Sequence, residues 1–547
     1  MSSRPTRKHF LTCLSLLAVL LLLHPVLKAQ EPVPNANGQI GDTTKRIEIL
    51  RNTRTLTFKT IDDSTRLTIV AGDVKLKQGN TIITCDSAVL NSRTNIFEAW
   101  RKVHINDGDT ADIYSDHLRY LGTEKIAYLD GNVKLTDGKG TLTTPDLEYN
   151  METNLGIYKN GGKVVNGKSV LTSKEGWYYA DLKDVYFKQN VSLKDPAYSI
   201  STDSMLYNTQ TKTTRFIAQT KIVDTSGVEV YTREGFYNQE TKEANFGRRP
   251  LIKDVKNKRT VIGDNIIQND SIYQATGNAV IVDSAQGTTL LGGIIIQNKN
   301  TNAILATRKP LLIVKQDNDS IYVTADTLFS ARLSDRFGAD SIVTDTVKGI
   351  KVARFNEKDS SNRYFEAFRN VRIFNDSLQA VCDSMFYSLR DSVFRLFQDP
   401  VVWAQNSQVT GDTILLFTKN KKADRVEAFP NGFMINHVED EVYNQIKGSR
   451  IDGWFLDGNI DSVRAKGFAE CIYYIQGDDS AYTGVNQSSC DIIDIYFDQK
   501  ELDKVVFRSQ VTGTIWPIQQ KRPDEMKLTN FRWLEARRPK TKFEMFE

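Results

Sequence analysis

An acidic residue recurs along most of this chain of 547 residues, at intervals of about 30 residues and with apolar neighbours at fixed distances. Asp86, Asp116 and Asp146 begin the series. Ile or Val stands three residues before most of these acids, and apolar residues stand two and four residues after them. Because alternate residues of a strand share a face, both flanks can face one interior only if the chain bends or bulges at the acid. The pattern predicts stacked β-units with an acid at each corner.

Seven acids in this register are predicted to be structural turn residues: Asp86, Asp116, Asp203, Asp264, Asp326, Asp383 and Asp412. Asp at a bend hydrogen-bonds readily to nearby backbone. A row of identical carboxylates without a nucleophile or base at matching spacing is not suited to catalysis. We therefore predict no catalytic residue and no enzymatic activity. The scattered His and Cys residues predict no metal site, and no cofactor is expected.

A second signature is a Gly or Asn followed by a short apolar alternation and a polar turn, as in GDVKLKQGN (72–80) and GNVKLTDGKG (131–140). Turn residues arrive every 8 to 12 positions or so, and helical periodicity is absent, which is typical of short strands. A unit of about 30 residues is too small to close a core alone, so the units must stack. We predict an all-β, elongated β-solenoid or open jelly roll, on the order of 100 Å long at about 4.8 Å per strand layer.

The first residues have the features of an export signal. Arg4, Arg7 and Lys8 precede an apolar run at 10–23, and a small residue, Ala29, follows where cleavage is expected. The 71 Lys and Arg residues nearly balance the 67 Asp and Glu residues, which leaves a net charge of +4 without a basic run. This balance predicts no nucleic-acid partner.

Changes along the chain predict its domain organisation. The acid-centred register fades in one internal segment, and the last residues mix charged and aromatic side chains. We predict a signal peptide at 1–29, an N-terminal linker at 30–50, repeats at 51–330, a linker or insertion at 331–361, further repeats at 362–515, and a C-terminal cap or docking tail at 516–547.

Two local features need separate interpretation. GKVVNGKS (162–169) matches the phosphate-binding pattern GxxxxGK[ST], but the sequence after it predicts a turn and strand instead of the helix that such a loop requires, so we predict a Gly-rich β-turn. Cys471 and Cys490 are close enough in sequence to form a disulfide in an oxidising compartment, and two buried thiols are the alternative.

The unit GNVKLTDGKGTLTTPDLEYN (131–150) resembles the strand-turn-strand unit of the OstA/LptA-like family, the organic-solvent-tolerance N-terminal domain of lipopolysaccharide-transport proteins. Residues 72–91 and 189–208 match comparably, and the resemblance covers residues 50–330 most clearly. The length of the chain resembles the long OstA-like form of Bacteroidetes-type bacteria.

This resemblance implies an antiparallel β-jelly roll whose sheets part into an apolar groove for lipid A acyl chains. It also implies a periplasmic location, associated with the inner or outer membrane through partners. The implied partners are lipopolysaccharide, through its lipid A, and other jelly-roll components of the transport bridge, and the sheet edges allow head-to-tail self-association. The candidate groove residues are Val74, Leu76, Ile113, Leu118, Val133, Leu135, Val191, Leu193, Ile200 and Met205.

Two other functions share the export signal and the repeats. One is a β-helical protein that binds or cleaves polysaccharide, which is expected to concentrate acids or aromatics at one level of the stack. The other is a structural scaffold of outer-membrane assembly with a sealed interior. The even distribution of acids disfavours the first, and lipid copurification distinguishes the second from a carrier.

Overall fold

The computed structural model describes residues 47–546, apart from gaps at 109–111, 137, 139, 316–319, 338–342, 345–350, 353–360, 420–421, 457–458, 478–480 and 499–500. The predicted signal peptide and most of the predicted N-terminal linker lie outside the described residues. The all-β prediction is confirmed: strands dominate the described part of the chain, accompanied by one short α-helix and a few 3-10 helices. No helix within that part is long and apolar enough to cross a membrane.

The strands follow one another with short connections. The first group is β1 (Glu48–Ile49), β2 (Thr55–Thr60), β3 (Arg66–Gln78), β4 (Thr81–Asn91), β5 (Ile96–Asp107), β6 (Asp112–Leu121), β7 (Ile126–Thr136), β8 (Thr141–Asn150), β9 (Leu155–Tyr158), β10 (Gly162–Asn166), β11 (Ser169–Ser173), β12 (Glu175–Tyr179), β13 (Asp184–Lys194) and β14 (Tyr198–Asn208). The second group is β15 (Thr213–Phe216), β16 (Thr220–Asp224), β17 (Val228–Thr232), β18 (Glu234–Asn238), β19 (Ala244–Gly247), β20 (Leu251–Asp254), β21 (Arg259–Ile262), β22 (Asn265–Gln268), β23 (Ile272–Asp283), β24 (Thr288–Asn298), β25 (Ile304–Thr307), β26 (Leu311–Lys315), β27 (Ser320–Thr324) and β28 (Thr327–Ala331).

The short helix α1 (Leu333–Phe337) separates these strands from the rest. The remaining strands are β29 (Val343–Thr344), β30 (Lys351–Val352), β31 (Tyr364–Phe374), β32 (Leu378–Ser388), β33 (Val393–Phe397), β34 (Val401–Ala404), β35 (Ser407–Thr410), β36 (Thr413–Lys419), β37 (Lys422–Phe429), β38 (Gly432–Glu439), β39 (Val442–Gly448), β40 (Arg450–Leu456), β41 (Asn459–Gln476), β42 (Tyr482–Asp498), β43 (Glu501–Arg508) and β44 (Thr512–Pro517). Four 3-10 helices follow at Ile518–Gln520, Pro523–Glu525, Glu535–Arg537 and Lys542–Met545.

Each strand layer is hydrogen-bonded to the next in antiparallel fashion. The long strands β3 to β8 form successive hairpins. In other layers two short strands replace one long strand, so that β9 and β10 pair with the two halves of β8. Within the described residues 42 strands belong to one continuous sheet, and β29 and β30 form a separate pair. The fold is therefore the predicted elongated stack of units.

The long strands bend near their middle at a two-residue step. In β7 the step is Gly131 and Asn132, with φ of 75° and 48°, and the pairing with β8 shifts register there. Left-handed φ is accessible to Gly and tolerated by Asn, which explains the recurring Gly-Asn pair. Burial alternates on both sides of the step, so both halves face one interior. The sequence pattern suggested a strand that follows Gly-Asn, whereas in the structure Gly131 and Asn132 lie inside strand β7.

The segment 331–361, predicted to be a linker or insertion, leaves the sheet between two adjacent strands. Strand β28 before it pairs with β31 after it, from Thr327 opposite Phe368 to Ala331 opposite Tyr364. The sheet therefore continues across this excursion. Helix α1 is held at its start by Asn362, whose side-chain oxygen accepts from the backbone N–H of Ser334 at 3.0 Å.

The C-terminal segment 518–546, here called the tail, runs back along the outer face of the sheet. Three buried Gln side chains on alternate strand layers bind it: Gln445 accepts from the Leu528 N–H at 2.9 Å, Gln408 accepts from the Leu534 N–H at 2.7 Å, and Gln379 accepts from Arg538 Nε at 2.8 Å. Gln445 and Gln408 also donate to carbonyls of the tail. Apolar side chains of the tail, including Met526, Leu528 and Met545, are buried against the strands.

Buried carboxylates are paired on the C-terminal strands. Asp494 on β42 is 2% exposed and accepts from Arg464 Nε at 2.5 Å and from Arg508 Nε at 2.9 Å. Burial alone raises the pKa of the Asp494 carboxyl, but the hydrogen bonds from both arginines outweigh burial, and the pKa lies below its ordinary value. The ionised form is therefore the one that stabilises the fold.

We expect Asp494→Asn to lower the stability of the C-terminal strands by about 2 kcal/mol at pH 7, because two charge-assisted hydrogen bonds are weakened. A depressed carboxyl pKa contributes stability above the unfolded-state value, near 4, and that contribution disappears as the pH falls through the folded-state pKa. Urea unfolding followed by tryptophan fluorescence should thus separate the two proteins at pH 7, and the difference should shrink as the pH falls below the unfolded-state value. Asp491→Asn, at an exposed site on the same strand, should have no such effect. A pH-independent difference would contradict the assignment.

Candidate functional site

One half of each bent strand layer lines the interior with an aliphatic side chain. These side chains form an unbroken series from strand to strand, here called the aliphatic row. Each member lies directly opposite the next across neighbouring strands, as Ile113 opposes Leu135 and Leu135 opposes Leu142. The series continues to β39 through Val164, Leu171, Leu193, Ile200, Ile222, Val230, Ile252, Val261, Ile281, Leu290, Leu312, Val323, Ile373, Ala380, Val402, Val409, Met434 and Ile446. Beyond β39 the opposed positions are Cys471 and Ser488, so the aliphatic row ends there. The row makes one apolar face along the stack.

The other half of each layer contributes a second row, here called the mixed row, which contains both large and small residues. Phe187 opposes Met205, and later Ala275 opposes Ile295, which opposes Ala306. Members of both rows belong to one hydrophobic cluster. The two halves of the bent layers therefore face each other across a common apolar interior.

The mixed row contains Gly where a side chain would collide with a neighbouring aromatic ring. A Cβ at Gly176 would lie 2.4 Å from the ring of Tyr158. The Tyr158 hydroxyl in turn is hydrogen-bonded to Ser173 Oγ at 2.6 Å. Burial raises the pKa of Tyr158 to about 12, so the phenol is neutral and acts as packing in this interior.

The ten candidate groove residues are brought together in this interior. Leu76, Ile113, Leu135, Leu193 and Ile200 belong to the aliphatic row, Leu118 and Met205 belong to the mixed row, and Val74, Val133 and Val191 lie nearer the bend. All ten are at most 5% exposed and lie in one cluster. Close packing is also what core residues show, so their role as lipid-binding residues stays a prediction.

The seven recurring acids lie at the bends, and six of them contact the step on a neighbouring strand. Asp116 accepts from Asn132 at 2.6 Å, Asp326 from Asn370 at 3.1 Å and Asp412 from Asn431 at 3.1 Å. Asp264 pairs with Arg249 at 2.7 Å, and Asp86 lies 3.7 Å from Lys102 Nζ. The Asp383 N–H donates to the Gln398 carbonyl, and Asp203 accepts from Ser204. Most contacts thus cross to another strand, whereas the sequence suggested bonds to local backbone.

The phosphate-loop match and the cysteines have simple places in the fold. Gly167 and Lys168 form the turn of the hairpin between β10 and β11, where Asn166 opposes Ser169. Cys471 and Cys490 are both buried free thiols. Burial raises the pKa of Cys471 to about 12, which keeps this thiol protonated.

Three cavities lie in or beside the interior. One of about 470 Å³ is bounded by Ile281, Leu290 and Leu312 of the aliphatic row and by Leu328 and Met385 of the mixed row. A cavity of about 250 Å³ adjoins it, since both share Arg259, Ile281 and Gln297. The third, about 580 Å³, lies near Met434, Ile446 and Cys471. The two faces are therefore parted in places along the stack.

Arginines at the first of these cavities were missed by the sequence analysis. Arg259 and Arg363 line it, each at or next to the outer end of a strand. The strand period could have revealed them, because Arg259 stands two residues before Val261, and Arg363 stands four before Ala367, on the same faces as those interior residues. Apolar residues at alternate positions indicate which positions of a strand face the interior. A charged residue at such a position is the sequence signal for these arginines.

The fold and interior define an elongated antiparallel β-structure with one apolar face along its axis, and the sequence comparison agrees with this class. Residues 44–203 match the family described as OstA-like protein. This match agrees with the resemblance that the repeats suggested. No curated protein matches the chain.

Among solved structures, the chain is similar to the crystal structure of LptH, the LptA homologous periplasmic component of the conserved lipopolysaccharide transport device from Pseudomonas aeruginosa. The identity is 16% and the TM-score 0.20, over 26% of this chain and 95% of LptH.

Proposed function

We propose that this protein is a lipopolysaccharide-transport bridge component that shields lipid A acyl chains between its aliphatic and mixed rows. The proposal includes export to the periplasm by the N-terminal signal and contact with membranes through partner proteins. It is supported by the OstA-like match over residues 44–203.

The observation that carries the proposal is the continuity of the aliphatic row from Leu76 on β3 to Ile446 on β39. Burial of one methylene contributes about 0.8 kcal/mol, so an acyl chain of about 14 carbons resists release into water by on the order of 10 kcal/mol. A carrier must then offer near-equal apolar sites at short intervals, so that no step exposes the whole chain. The row supplies one aliphatic position per strand layer, about 4.8 Å apart.

Passage of an acyl chain between the ten candidate groove residues requires the two faces to separate, because all ten side chains are buried in the structure. The cavities between β17 and β32 are places where the faces are already apart. The free sheet ends are the proposed contacts with neighbouring bridge components. Strand β2 is exposed along its length, and β44 is exposed except at one residue.

Mass spectrometry of the protein purified from native envelopes tests the proposal. We expect lipid A species to copurify with the full chain after mild extraction and to be absent after exchange into detergent. An exposed-surface variant such as Arg215→Met should retain them, because Arg215 points away from the interior on β15. Protein that is recovered folded but free of lipid A in repeated preparations would support a sealed scaffold instead.

A further inference from the structure

Arg259 is a charged side chain that lines both of the adjoining cavities. Its Nε and one terminal nitrogen are shielded from solvent and have no hydrogen-bond partner. A guanidinium carries five N–H donors in a fixed fork, and leaving donors of a charged group unsatisfied in a buried place is costly. A bound group that accepts hydrogen bonds from these nitrogens would remove this cost.

Two carboxylates lie directly opposite Arg259 on the neighbouring strands, yet both are engaged elsewhere. Asp254 accepts from the backbone and side-chain nitrogens of Asn257 at 2.9 and 2.7 Å. Asp283 accepts from the backbone N–H groups of Ala285 and Gln286 at 3.1 and 3.0 Å. Because these side chains stabilise their own hairpin turns, the guanidinium keeps free donors toward the cavity.

Arg363 faces the same cavity from the other half of the layers. Its guanidinium is held in place by donating to Ser330 Oγ and to the Asn302 carbonyl, both at 2.9 Å. Burial lowers the pKa of Arg259 and of Arg363, and the neighbouring Arg259 and Arg332 charges lower that of Arg363 further. Arg259, Arg332 and Arg363 line this cavity together with two carboxylates, Asp283 and Glu366. Asp283 is bound to its hairpin turn and Glu366 is paired with Arg336, so the cations are in excess at the cavity, which favours an incoming anion.

The apolar part of the cavity lies deeper, toward the bend. Ile281, Leu312 and Val323 of the aliphatic row and Leu328 and Met385 of the mixed row line it, whereas the arginines lie toward the strand ends away from the bend. The volume of about 470 Å³ is within the range of about 300 to 1,000 Å³ typical of ligand sites. The cavity thus has charged side chains at its outer end and apolar side chains at its inner end, which suits a ligand with an anionic head and an apolar tail.

We propose that this cavity is a head-group site for a phosphate-bearing amphiphile, with Arg259 and Arg363 binding the phosphate and the acyl chain lying between the two rows. A phosphate is preferred over a carboxylate because its oxygens can accept from two guanidinium forks at once. The inference rests on the proposed function, since it assigns the anionic end of the molecule that the interior would carry. It gives the conduit a defined holding position along the axis.

Calorimetric titration of the full-length purified protein tests this site with two probes of one acyl chain: lysophosphatidic acid and lysophosphatidylcholine, both with a saturated chain and below their micelle concentrations. We expect the phosphate monoester to bind about tenfold or more tightly than the phosphocholine lipid. Arg259→Met should remove this preference, and Arg363→Met should reduce it. Arg215→Met, at an exposed arginine, should leave it unchanged.

A second measurement separates a site from simple packing. Arg259→Met should raise the melting temperature of the lipid-free protein by about 2 °C or more, because an unpaired buried charge is removed, while abolishing the rise caused by lysophosphatidic acid. A purely structural arginine would lower the lipid-free melting temperature when replaced. That result, or equal affinity for the two lipids, overturns the proposal.

Lipid A with and without its phosphates distinguishes this inference from the proposed function. Equal binding of both forms would overturn the head-group site while leaving lipid A carriage in place. Binding of lysophosphatidic acid through Arg259, with no binding of either lipid A, would retain the site and contradict lipopolysaccharide transport.

Discussion

Leu135→Asp is expected to destabilise the strands around it, β6 to β8, by about 3 to 5 kcal/mol at pH 8. This is one of the largest effects available from a single change. Leu135 is 5% exposed and lies in the aliphatic row between Ile113 and Leu142. A carboxylate there has no partner, and burial without compensation costs several kcal/mol and raises the carboxyl pKa. The loss should therefore grow as the pH rises above the unfolded-state value near 4 and be smaller at pH 4.

Thermal melting at the two pH values checks this result, with Lys134→Asp as the matched control. Lys134 is exposed on the same strand, so its replacement should change stability by less than about 0.5 kcal/mol. Lipid binding provides the second measurement. A variant that is tested well below its melting temperature and still binds lipid A as the parent does would remove Leu135 from the proposed groove.

Deletion of the tail, residues 518–547, is expected to cause the second large effect: loss of about 5 kcal/mol or more from the C-terminal strands, together with aggregation. The tail buries Met526 and Leu528 against Phe433 and Ile435, and each fully buried side chain of this size contributes about 1.5 to 3 kcal/mol. Deletion also uncovers a contiguous apolar surface, which promotes association. Thermal melting and light scattering of the truncated chain provide the measurements.

Gln408→Leu is the corresponding single substitution. Gln408 is 1% exposed and both donates to the Arg532 carbonyl at 2.8 Å and accepts from the Leu534 N–H, so the change leaves two backbone groups of the tail without partners. Hydrogen exchange should show faster exchange across residues 526–538. Gln487→Leu, at an exposed site on β42, should not. Unchanged protection of the tail in Gln408→Leu would show that apolar contacts alone hold it.

The stacked fold could be predicted from the sequence because burial imposes a period of two on each half-strand. Val133 and Leu135 alternate with the exposed Lys134, and the same alternation returns in unit after unit. The bend could be predicted from the change of parity at Asp116. The left-handed backbone of the step could not be predicted everywhere, because pairs such as Arg101 and Lys102 adopt it without a distinctive residue type.

Other features depend on tertiary contacts that leave little trace in local sequence. Gln379, Gln408 and Gln445 occupy outward positions of ordinary strands, where a polar residue usually means solvent exposure. Their burial results from the tail, which is more than 80 residues away in sequence from Gln445. The site arginine Arg259 was predictable in principle from its register, but its lack of a partner follows from the turns that engage Asp254 and Asp283.

Photo-crosslinking in cells that make lipopolysaccharide tests the central claim most directly. A photoreactive phenylalanine analogue would replace either Ile252, a buried member of the aliphatic row beside a cavity, or Lys253, its exposed neighbour on the same strand. We expect lipid A adducts at Ile252 and none at Lys253. Adducts at both positions alike, or at neither in a folded protein, would contradict a lipid-carrying interior.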